Sequence, residues 1–134
     1  MLGRARQTWR VVQAGAAADQ RHAARTAEIL RGLGADEELV QAGLWHDSAK
    51  PLETRIGHRI GAVLLDLGPP AIRRRLARGE GVFARYLDHA RRGAEEAARR
   101  GASPRVVRLI AEHHEPPRTP DAVLLARADH EALP

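Results

Sequence analysis

The feature that most constrains this chain is its punctuation. Apolar residues recur at three- and four-residue spacing, and most such runs are closed by glycine or proline. That period belongs to amphipathic helices, and no convincing strand alternation interrupts it. Leu2, Ala5, Trp9, Val12 and Ala16 predict an opening helix. A second runs from a cap at Asp19 to about Leu30 and stops at Gly32 and Gly34. A third starts at Asp36 and ends near His46 and Asp47. Ile56, Ile60, Val63, Leu64 and Leu67 predict a fourth, and a short basic helix follows from Ala71 to Arg78. Val82 to Arg100 reads as one long helix closed by Gly101. Ser103-Pro104 and Thr119-Pro120 pair a capping side chain with proline at the first helical position, so each opens a helix. The expectation is an all-α, single-domain bundle of about six to eight helices, with an N-terminal helix over 1–18 and the remainder over 19–131.

Composition narrows what such a bundle can do. The chain has 134 residues and no cysteine, which excludes disulfides, thiolate zinc sites and cysteine nucleophiles. No run of about 18 apolar residues exists, so no membrane span is expected. The N-terminus lacks an apolar signal region, which makes the cytoplasm the expected location. Net charge is +5, and of the 22 basic residues Lys50 is the only lysine. The basic balance reads first as a solvated surface, with attraction of anionic phosphate substrates as the alternative. Nucleic acid is not expected as a partner, because no aromatic residue is interleaved with a basic run.

The chemistry lies in seven histidines. His46 is followed by Asp47, and His113 by His114. Adjacent helical residues point about 100° apart, so either pair can serve one site only at an irregular helix end. Alternatively, the Asp47 carboxylate can bridge two ions. Imidazole with carboxylate suits iron, manganese, zinc and similar metals.

The segments His22-Ala-Ala-Arg-Thr-Ala-Glu-Ile-Leu and Ala42-Gly-Leu-Trp-His46-Asp47-Ser-Ala-Lys50, with a distant Asp129, resemble the HD superfamily of metal-dependent phosphohydrolases. The resemblance covers about residues 20 to 130. His89 with Gly93 four residues on, and then the His113-His114 pair, resemble the two-metal branch typified by HD-GYP domains. The resemblance implies that His22, His46, Asp47 and Asp129 hold one metal. Asp47 would bridge to a second held by His89, His113 and His114, with Gly93 allowing close helix approach. The Gly-Tyr-Pro motif is absent after His114, so cyclic dinucleotide hydrolysis does not carry over. Ala49 replaces the usual glycine before the motif lysine.

The expected activity is hydrolysis of a phosphoester or phosphoanhydride, of a nucleotide or dinucleotide. Two divalent transition metals, iron or manganese first and zinc, nickel, cobalt or magnesium as alternatives, would acidify a bridging water. Asp47 and Lys50 are the candidate catalytic residues. Lys50, His58, Arg25 and Arg92 are the candidate substrate contacts, although a core or surface position competes for His58. Trp45 is expected in the core, His130 outside the ligand set, and Arg73 to Arg75 on a solvated face. Glu115 reads equally as a support for a ligand histidine or as a solvated helix end. Two other readings stand beside the hydrolase: a di-iron oxygenase of the same superfamily, and a non-catalytic nucleotide-binding domain. A homo-oligomer is left open.

Overall fold

The computed structural model describes residues 17–51, 54 and 56–133. Among these the chain forms eight helices and no strand: α1 (Ala17–Gly32), α2 (Glu37–Trp45), α3 (Ile56–Asp66), α4 (Pro70–Ala77), α5 (Val82–Leu87), α6 (His89–Arg99), α7 (Pro104–Ala111) and α8 (Pro120–Glu131). The all-α expectation holds. The expected opening helix lies almost wholly outside the described residues, and Ala17 and Ala18 belong to α1 instead. Asp19 sits in the first turn of α1 rather than capping it, where its charge favours the helix N-terminus.

Local chemistry explains most boundaries. The Asp36 carboxylate accepts from the Leu39 amide at 3.0 Å, Ser103 Oγ from Val106 at 3.3 Å and Thr119 Oγ1 from Ala122 at 3.1 Å. Gly34 and Gly101 take positive φ of 79° and 84°. There the chain reverses, and the amides of Ala35 and Ala102 return to the carbonyls of Leu30 and Ala97 at 3.0 and 2.9 Å. Both are glycine-closed helix ends of the Schellman type. Arg105 then ties three helix starts together, reaching Asp36 at 2.7 Å, Glu38 at 3.4 Å and Asp121 at 2.9 Å.

The core is built by α1, α2, α6, α7 and α8. Leu30, Leu39, Trp45, Val106, Ile110 and Leu125 are its large members, and Ala27, Ala42, Ala94, Ala97 and Ala128 let the helices approach closely. Trp45 is therefore a core residue, as expected. Closest approach falls at Gly43, where an added Cβ would stand 2.5 Å from Leu30 Cδ1. At Gly93 the nearest atoms, on Ala49 and Ile110, would be 3.5 Å away, an ordinary contact. The close approach expected at Gly93 thus belongs to Gly43.

One further expectation changes. Val82 to Arg100 is two helices, because Asp88 leaves helical geometry at φ −107°, ψ 11°. Its carboxylate holds Arg91 and Arg92 just beyond the break, and His89 becomes the first residue of α6. On α3 the large side chains face out: Ile60, Val63 and Leu64 are exposed, while Ala62 is buried and Gly61 packs on Phe83. Periodicity reveals that a face exists, not which side is covered. No helix among the described residues is long and apolar enough to cross a membrane.

Candidate metal centre

Each donor arrives from the end of a helix or a face turned inward. His22 comes from α1, Asp129 from α8 and His89 from the first position of α6. His46 and Asp47 follow α2, where the chain tightens: the Ser48 amide bonds Trp45 O and the Lys50 amide bonds Asp47 O, both at 3.0 Å. These three-residue turns swing the two neighbouring side chains to one side, which a continuous helix forbids. His113 and His114 follow α7 in the same way, with His113 N reaching Ile110 O at 3.4 Å and Glu115 N reaching Glu112 O at 2.9 Å.

The result is two groups sharing one residue. His22, His46, Asp47 and Asp129 form one, and Asp47, His89, His113 and His114 the other; in each, the donor atoms lie within 4.8 Å of one another. Asp47 divides its oxygens between them. Oδ1 lies 3.0 Å from His89 Nε2 and 3.4 Å from His113 Nε2. Oδ2 lies 3.4 Å from His46 Nε2 and 4.0 Å from His22 Nε2. Asp129 Oδ1 closes the first group at 2.6 Å from His22 and 3.0 Å from His46.

The rings are held for donation through Nε2. His46, His89 and His113 each place Nδ1 2.6 Å from a backbone carbonyl three residues earlier, on Gly43, Tyr86 and Ile110. A carbonyl only accepts, so Nδ1 carries the proton and Nε2 of the neutral ring offers its lone pair to the centre. His113 Nε2 is buried with no hydrogen-bond partner among the described residues. His89 Nε2 faces Asp47 Oδ1 at 3.0 Å and His114 Nε2 at 2.9 Å. Lone pairs converging on buried acceptors are satisfied by a cation between them, so the donor set fits divalent metal.

Without metal, a proton on His46 Nε2 takes the place of the cation. Burial opposes charge on His46, but Asp47 and then Asp129 outweigh it and push its pKa up to about 10. Burial likewise disfavours the carboxylates, yet the surrounding histidines hold Asp47 and Asp129 well below the usual range. His114 is pushed down to about 3, first by burial and then by the like charges of His113 and His89. A group whose folded pKa is depressed adds stability at neutral pH that is lost as pH falls. The buried His113 ring, also pushed down by burial, loses its contribution as pH falls below about 6.5, whereas solvent screens part of the shift at the exposed His114. His46 runs oppositely: its contribution is full below about 6.5 and fades as pH rises through about 10. Chelator-treated protein should therefore unfold at lower urea at pH 4 than at pH 6.5. An equal or higher midpoint at pH 4 contradicts this charge assignment.

An open cavity of about 560 Å³ lies over the centre, lined by His22, Asp47, His89, His114 and Asp129. Lys50, Arg25, Arg21, Arg59 and Tyr86 complete much of its wall. Lys50 is 10% exposed, with Nζ 3.0 Å from Asp47 Oδ2. Two expected substrate contacts are not there. Arg92 is drawn to Asp88 at 3.1 Å and to Gly79 O at 2.8 Å. His58 stacks on Phe83 with ring centroids 6.1 Å apart. Glu115 and His130 are exposed and join neither group. Arg21, Arg59 and Tyr86 were not anticipated. Tyr86 was legible, three residues before His89 and so on its face; Arg59 was not, since the path from Lys50 into α3 has no sequence signature.

An all-helical domain with a shared-carboxylate histidine centre is a narrow class. Residues 20–132 match the HD domain family, and the chain belongs to it. That family consists mostly of metal-dependent phosphohydrolases. No curated protein and no solved structure matches the chain.

Proposed function

We propose that this protein is a metal-dependent phosphohydrolase that cleaves a phosphoester or phosphoanhydride, with nucleotides as the favoured substrate class. The observation that carries the reading is the division of Asp47, one oxygen toward each histidine group. In this reading His22, His46, Asp47 and Asp129 hold one ion, and Asp47, His89, His113 and His114 hold the other. Metal bound there supplies an acidified water and charge neutralisation at phosphoryl oxygens. Iron and manganese suit the donor set first, with zinc, nickel, cobalt or magnesium as alternatives.

The chain's own residues do the rest. The three Nδ1 anchors keep the donor rings from rotating. Arg21, Arg25 and Arg59 line the approach and raise the local concentration of anions. Lys50 offers a compact charge beside Asp47, suited to an oxygen that gains charge as the phosphorus is attacked. Lys50→Ala should lower kcat by roughly 100- to 1000-fold, as loss of one such donor does, with metal content unchanged. Lys50→Arg should restore part of it. A kcat equal to wild type in Lys50→Ala removes Lys50 from the reaction.

The test is phosphate release from a panel of nucleotides and nitrophenyl esters by protein loaded with each metal, against chelated protein. Release above the chelated control supports the hydrolase. Oxygen consumption by the iron form without phosphate release transfers the case to an oxygenase. Nucleotide binding without turnover in any metal makes it a binding domain.

A further inference from the structure

The cavity over the centre does not end there. A second cavity, of about 570 Å³, adjoins it, and Arg59, Tyr86, His89 and His114 line both. The two are lobes of one cleft that meet beside His89 and His114. The second lobe opens between α3 and the α5–α6 junction. On its α3 side stand Arg59, Ala62, Val63 and Asp66, spaced three and four residues apart and so on one helix face.

The lobes differ in chemistry. The first carries four cations, Arg21, Arg25, Lys50 and Arg59, beside the carboxylates of the centre and Asp19. In the second, Arg59, Arg73 and Arg91 are balanced by Asp66, Asp88 and Glu115. Most of these charges are already used: Asp66 holds Arg73 at 2.9 Å, and Asp88 holds Arg91. Between these pairs the wall carries Ala62, Val63, Leu87 and Ala111, with Val63 on its open side. At the neck, the Tyr86 ring lies 5.6 Å from that of His89 and gives a planar group something to stack on.

We propose that the second lobe is the subsite for the organic arm of the substrate: an uncharged, ring-bearing group attached to the phosphorus that lies in the first lobe. Arg59 and Tyr86 are then the specificity-determining residues at the neck. A second phosphate is disfavoured in this lobe because Arg73 and Arg91 are matched by Asp66 and Asp88. The inference rests on the phosphohydrolase reading for the position of the phosphorus, and its test does not depend on turnover.

Two probes share one head group that resists hydrolysis: methylphosphonate, without an arm, and a nucleoside 5′-phosphonate, with one. Calorimetric titration of the manganese-loaded protein should give a lower Kd for the nucleoside phosphonate. Val63→Trp, which narrows the second lobe from its open side, should weaken that ligand by about tenfold, the scale of a poor fit. Its effect on methylphosphonate should be much smaller. Val123→Trp, on the exposed part of α8 and outside both lobes, is the control and should change neither. Equal affinity for the two probes, or equal weakening of both by Val63→Trp, overturns the subsite. So does failure of the nucleoside phosphonate to bind. Discrimination between the probes without phosphate release in the panel assay keeps the subsite and removes the hydrolase. Phosphate release without discrimination does the reverse.

Discussion

Asp47→Asn should abolish phosphate release and empty both metal positions together. The side chain serves two groups at once, so one substitution reaches the six other residues of both. Asparagine keeps the shape and one oxygen acceptor but removes the charge on which His46, His89 and Lys50 converge. Replacing a group that merely supports a metal ligand costs about 10- to 100-fold, and loss of a shared ligand should exceed that range. Folding must be checked alongside, by circular dichroism and urea titration of the metal-free protein. A folded Asp47→Asn protein that retains full activity refutes the centre itself.

The second large effect separates the two groups. His113→Ala combined with His114→Ala deletes two donors from one group and none from the other. Metal content should fall from about two toward one per chain by the two-metal logic, with phosphate release lost. His113 packs behind the site with its Nε2 buried, so the double variant also opens a small void. The reading is therefore taken on metal per folded chain, after chelation and reloading. Unchanged metal content would sink the second group as a binding site.

Much of the fold was legible because its boundaries rest on local chemistry. Asp36, Ser103 and Thr119 cap as their side chains dictate, and Gly34 and Gly101 close helices that only a positive φ can close. The break at Asp88 was not legible, since it involves neither glycine nor proline. It is held by Arg91 and Arg92 pairing back to its carboxylate. The same pairing explains why Arg92 leaves the site: spacing from His89 gave its direction but not the competing carboxylate four residues earlier. The outward apolar face of α3 shows the limit of periodicity from the other side. The candidate ligands were legible because they came as an ordered pattern across the whole chain, and all seven side chains do converge. The cavity's other residues come from elements whose relative placement no local signal carries, as with Arg59.

The proposed centre requires a pair of ions straddling Asp47. Anomalous diffraction from crystals of the protein loaded with iron or manganese tests it most directly. The expected result is two peaks about 3.5–4 Å apart, one among His22, His46 and Asp129 and the other among His89, His113 and His114, with one Asp47 oxygen toward each. A single peak at full loading, or peaks away from these side chains, would contradict it.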